Sequence, residues 1–75
     1  MTGRFAKIAV SAATYWIDRP YDYLIPEKLC ESVQPGVRVF VPFGKGNRRS
    51  EGIVLAVTEH SDYELVKPII AVTDD

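Results

Sequence analysis

The amino-acid sequence predicts an all-β domain. Three observations carry this reading. Apolar residues recur with period two in run after run, Val, Ile, Tyr, Phe and Thr fill most of those runs, and Pro and Gly punctuate them at short intervals. No segment sustains the helical period.

The elements follow in order. In Phe5 to Ala12, the residues Ala6, Ile8, Val10 and Ala12 share one face of a first strand. Pro20 and Pro26 bracket a second, Tyr21 to Ile25, and such flanking prolines suit an edge strand. There Tyr21, Tyr23 and Ile25 share a face, while Asp22 and Leu24 point the other way. Glu27 to Val33 has room for one short helical turn. Pro35-Gly36 suits a type II turn, because Pro fixes φ at the first central position and Gly accepts positive φ at the second. Val37, Val39, Val41 and Phe43 form the apolar row of a third strand. Gly44-Lys45-Gly46-Asn47 is a turn tip, so residues 37–57 are expected to form a long hairpin. Ile53 to Val57 is apolar on both sides and reads as a central, doubly buried strand. Ser61 to Leu65 is a polar loop. Val66 to Thr73 is the last run, with Val66, Ile70 and Val72 on one side and Lys67 on the other. Five to six short strands with turns this close predict a small, OB-like β-barrel.

Composition narrows the function. The 75 residues make a single domain, 1–75, of ordinary soluble character, 47% hydrophobic and 25% charged. Asp74-Asp75 reads as a cut within a longer chain rather than a natural end. No apolar run is long enough to cross a bilayer, and the N-terminus lacks the apolar stretch of a signal peptide. Cys30, the one cysteine, cannot form an internal disulfide, which suits a reducing cytoplasm. The net charge of −1 argues against a protein that wraps duplex DNA through many phosphates. Any nucleic-acid site is then small and local.

Catalytic chemistry is absent. One His (His60) and one Cys cannot make a zinc site. The Gly44-Lys45-Gly46 sequence fails as a phosphate loop, because Val39 stands where the first glycine is needed and Gly46 where Ser or Thr is needed. A dinucleotide fingerprint fails at Arg49. These residues make a binding module without a cofactor.

Two segments carry binding chemistry. Asp22 sits between two tyrosines in an apolar run, and a carboxylate there needs donors. One reading is a surface carboxylate paired with Arg19 or Lys67; the other is a ligand-facing acceptor beside the stacking face of Tyr21. In Val41-Pro42-Phe43-Gly44-Lys45, Gly44 permits close backbone approach and Lys45 can meet a phosphate, or the two are a turn glycine and a solvated lysine. Arg48 and Arg49 add a basic tip to the hairpin and are further possible phosphate contacts.

Four blocks in order, RPYDYLIP, QPGVRVFVPFGK, EGIVLAV and ELVKPIIAVTD, resemble the N-terminal 3′-DNA-end-binding domain of the PriA family of replication-restart helicases. The resemblance runs from about Ile8 to Asp74. It implies a pocket lined by Tyr21, Asp22, Tyr23, Gly44 and Lys67 that accepts the terminal nucleotide of a nascent leading strand at a stalled fork. Tyr21 stands where the family often has Phe and keeps the ring face. ATP, zinc, 3′–5′ unwinding and the remaining helicase domains are implied only for the rest of such a protein. Two other classes fit a small barrel: an RNA-binding barrel of the translation machinery and a protein-docking barrel that adds a partner strand. Matched DNA and RNA ends separate the first; a nucleotide-free pull-down insensitive to Asp22 marks the second.

Overall fold

The computed structural model describes residues 4–12, 20–61 and 66–73. The expectations for Arg19, for most of the polar loop at Ser61 to Leu65, and for Asp74-Asp75 concern residues outside these. Among the described residues there are five strands: β1 (Arg4–Val10), β2 (Tyr21–Ile25), β3 (Arg38–Phe43), β4 (Arg48–Thr58) and β5 (Ala71–Val72). All sheet ladders are antiparallel, in the order β2-β1-β4-β3-β5, so the all-β expectation holds. The one helical element among the described residues is a 3-10 turn at Glu27–Leu29.

The sheet curls until its two ends meet. The Leu24 N–H donates to the Lys67 carbonyl at 2.8 Å, and the Ile69 N–H donates to the Leu24 carbonyl at 2.9 Å. That seam is one parallel bridge, Leu24 to Pro68, rather than a ladder. The result is a barrel-like sheet, closed at a single point. Inside lie Ala6, Ile8, Val10, Tyr23, Ile25, Val33, Val39, Val41, Val54 and Ile69.

The turns form for the reasons their residues give. Gly36 takes φ +93° after Pro35, and the Val37 N–H closes the turn onto the Gln34 carbonyl at 3.0 Å. Gly44 takes φ +77° and Asn47 takes φ +51°, with the Asn47 N–H bonded to the Gly44 carbonyl at 3.1 Å. The hairpin of β3 and β4 follows, from Arg38 opposite Ile53 to Phe43 opposite Arg48.

Three details depart from the alternation. Val54 is buried, but Leu55 is 46% exposed, so β4 is central without being buried on both faces. The register with β1 jumps between Lys7–Ala56 and Ile8–Val54, and this bulge turns Leu55 outward. In the last run, Ile69 is the core residue and Ile70 is 43% exposed. The chain changes neighbours there: Ile69 bonds to β2, while the Ile70 N–H donates to the Phe40 carbonyl of β3 at 2.8 Å. A change of partner resets which side faces inward. Third, β1 ends at Val10, and Ala12 is exposed instead of continuing the inner row.

Candidate functional site

The start of β2 and the turn after β3 meet at one corner of the barrel. Tyr21 opens β2 opposite Ile8, on the inward row but at its rim, and is 42% exposed. Its ring stands edge-to-face with Phe43, centroids 5.1 Å apart and planes at 79°. Such a contact holds an aromatic ring in place while leaving surface to the solvent. Gly44 follows Phe43, and a Cβ built there has nothing within 4 Å. The backbone at Gly44 is therefore open to close approach. Lys67 donates from Nζ to the Gly44 carbonyl at 3.2 Å, and its own carbonyl is held by Leu24 of β2. The structure thus brings Tyr21, Gly44 and Lys67 to one place, and adds Phe43.

Tyr23 supports this corner from inside. Its ring is buried in the core, and its hydroxyl donates to the Pro42 carbonyl at 2.8 Å. Burial, with a smaller contribution from the neighbouring Tyr21, pushes its phenol up to about 12. At neutral pH it is a fixed donor that ties β2 to the end of β3, rather than a lining residue.

Asp22 is arranged differently. Alternation turns its side chain away from Tyr21 and Tyr23, opposite Lys7 on β1. Lys7 Nζ lies 3.0 Å from Oδ1, and Ser61 Oγ donates to Oδ2 at 2.8 Å. The carboxylate side chain is 3% exposed, against 41% for Lys7. The expected partnership with Lys67 is replaced by Lys7, because antiparallel pairing sets Lys7 directly across, whereas Lys67 reaches Gly44. Sequence reasoning missed Lys7, Ser61 and Phe43. Lys7 left a signal: it is the charged residue on the outward face of β1.

Asp22 nonetheless lies beside the corner. β2 is the end strand of the sheet, and Leu24 spends its N–H and carbonyl on the seam. Two residues earlier, Asp22 directs the same backbone groups to the same edge. Consecutive side chains flank a strand edge, so Tyr21 lies on one side of this edge and Asp22 on the other.

The basic residues divide. Lys45 is exposed on the turn beside Gly44. Arg48 and Arg49 belong to β4 rather than to the hairpin tip. Arg48 faces Phe43 in register and so shares the side of the sheet that carries the Tyr21–Phe43 pair. Arg49 points to the other face, its guanidinium 4.1 Å from the centre of the Phe40 ring. Among the described residues, no three His, Cys, Asp or Glu side chains group as a metal site.

Comparison with known proteins adds two findings. The PriA family model described as the 3′ DNA-binding domain (3′BD) matches residues 7–75. The replication restart protein PriA of Bacillus subtilis (strain 168) is 48% identical over 58 residues, which are 77% of this chain and 7% of that protein. The chain therefore spans a small part of that relative's length.

Proposed function

The chain belongs to the 3′ DNA-binding domain family of PriA, and on that premise we propose that it captures the 3′-hydroxyl end of a nascent leading strand at a stalled replication fork. The observation that carries this reading is the corner itself: a half-exposed Tyr21 ring propped by Phe43, beside an open glycine backbone and Lys67. The ring stacks on the terminal base. Stacking tolerates any sequence, because every base has a π face. Gly44 admits the sugar-phosphate close to the backbone, and Lys67, with Lys45 and Arg48 near it, meets phosphate. Asp22 accepts a hydrogen bond from the terminal hydroxyl.

This reading makes residues 1–75 one binding domain of a larger restart protein. ATP hydrolysis, 3′–5′ unwinding and zinc binding belong to its other domains, and its work is cytoplasmic, at the fork. Single-stranded oligonucleotides that differ only at the 3′ terminus test the proposal. An ionised Asp22 accepts from a hydroxyl but repels a phosphate, and two like charges about 4 Å apart cost on the order of 4 kcal/mol at an effective dielectric of about 20. A 3′-phosphate strand is expected to bind far more weakly than its 3′-hydroxyl twin, with 5′ changes of little consequence. Equal binding of the two overturns end capture.

A further inference from the structure

Asp22 reads the 3′-hydroxyl under the proposed function, yet its side chain is 3% exposed and both oxygens already have donors. At 3% exposure, a terminal hydroxyl reaches the carboxylate by taking the place of one of these donors. The two donors are not equivalent. Lys7 supplies the positive charge that pairs with this carboxylate, and its departure would leave a buried charge uncompensated. Ser61 supplies a neutral hydroxyl at 2.8 Å, and the incoming 3′-hydroxyl is the same donor type. Exchanging one for the other conserves the number and the chemistry of the bonds on Oδ2. We infer that Ser61 is a placeholder for the 3′-hydroxyl, holding its position on Asp22 until the DNA end arrives, while Lys7 stays paired with the carboxylate.

The exchange explains how an acceptor can be kept in a dry site without remaining unsatisfied in the unbound protein. It also makes Ser61 a residue that weakens binding. With its hydroxyl removed, that bond on Oδ2 is gone, and the DNA end has less to displace.

The inference rests on the end-capture reading, and one titration separates the two. Fluorescence anisotropy would compare the 75-residue chain on labelled strands of one sequence ending in a 3′-hydroxyl or a 3′-hydrogen. Wild type is expected to prefer the hydroxyl. Ser61→Ala is expected to bind the 3′-hydroxyl strand about tenfold more tightly. Ser61→Thr, which keeps a hydroxyl donor, is expected to stay within about twofold of wild type. Ser61→Cys, a weaker donor of similar size, should move in the direction of Ala by a smaller factor, and it decides the matter if Ser61→Ala does not fold. If wild type prefers the hydroxyl but neither Ala nor Cys tightens binding, Ser61 is not a placeholder and end capture stands. If wild type shows no preference, end capture itself falls and the exchange falls with it.

Discussion

Lys7 and Asp22 form an unequal pair, and the inequality predicts an order of damage. Asp22→Ala removes one partner of a lysine that is 41% exposed and can hydrate, so a loss of about 1–2 kcal/mol is expected. Lys7→Ala strands a carboxylate that is 3% exposed, for which about 3 kcal/mol is expected despite the remaining Ser61 bond. Urea melts that rank them the other way would remove Asp22 from its buried setting. Tyr23 gives a second test, through pH. Its folded pKa of about 12 lies above the ordinary phenol value of 10.0, so the native state holds the proton more tightly than the unfolded chain. Its contribution is complete below pH 10 and is lost as pH rises towards 12, about 2–3 kcal/mol in all. Tyr23→Phe should flatten that alkaline decline, which thermal melts between those pH values would reveal. For Tyr21 the ring face matters and the hydroxyl does not. Tyr21→Ala should weaken DNA binding by about 1–3 kcal/mol and Tyr21→Phe should be tolerated; a titration in which both are equally damaging contradicts stacking. Tyr21 and Asp22 stood out in the sequence because a carboxylate between tyrosines is out of place in a strand. Their partners stood out less, Lys7 only as the charged residue on the outward face of β1, since Lys7, Phe43 and Ser61 reach them only through strand pairing and folding over long stretches of chain.

Strands were legible where one face meets the core without interruption. β1, β2 and β3 keep Ala6 and Ile8, Tyr23 and Ile25, and Val39 and Val41 inside, at the positions alternation assigns. β4 and the last run were harder, for a shared reason: a bulge at Leu55 and a change of partner at Ile69 each reset the alternation. Neither leaves a local mark in the residues. Gly52, by contrast, has a role that the packing makes plain. It pairs with Val10 on one side and Val39 on the other, at the centre of the sheet. A Cβ there would lie 2.5 Å from Ile8 Cγ2 and 3.0 Å from the Ala9 carbonyl oxygen. Ile8 is fully buried and the carbonyl belongs to a paired strand, so neither can move aside cheaply. Gly52→Ala is expected to lose about 2–3 kcal/mol, as overpacking does in a close-packed interior. A denaturant midpoint within error of wild type would show that β1 and β4 can part to admit a methyl group.

At the scale of the whole molecule, charge limits how the barrel can hold DNA. The net charge is −1, and several cations are engaged: Lys7 with Asp22, Arg4 with Glu59 at 3.7 Å, Arg38 with Glu51 at 3.9 Å, and Arg49 over Phe40. The two exposed pairs contribute little to stability, but each acidic partner weakens the attraction of its cation for a phosphate. The cations gathered around Tyr21 are fewer: Lys67 on the Gly44 carbonyl, Lys45 on the turn, and Arg48 opposite Phe43. One terminal nucleotide and its neighbour offer about two phosphates to that group. Each phosphate neutralised on a single strand contributes roughly −0.7 to the slope of log K against log salt, so a slope near −1.4 is expected. Stacking and the hydroxyl bond do not release counterions, and they should supply the affinity that survives at high salt. A titration series with a slope steeper than about −4 would mean that the strand runs across the barrel, over β3 and β4, rather than ending at the Tyr21 corner. In that case Arg49→Ala should flatten the slope by nearly one phosphate, whereas for a strand that ends at the corner the same substitution should leave it unchanged.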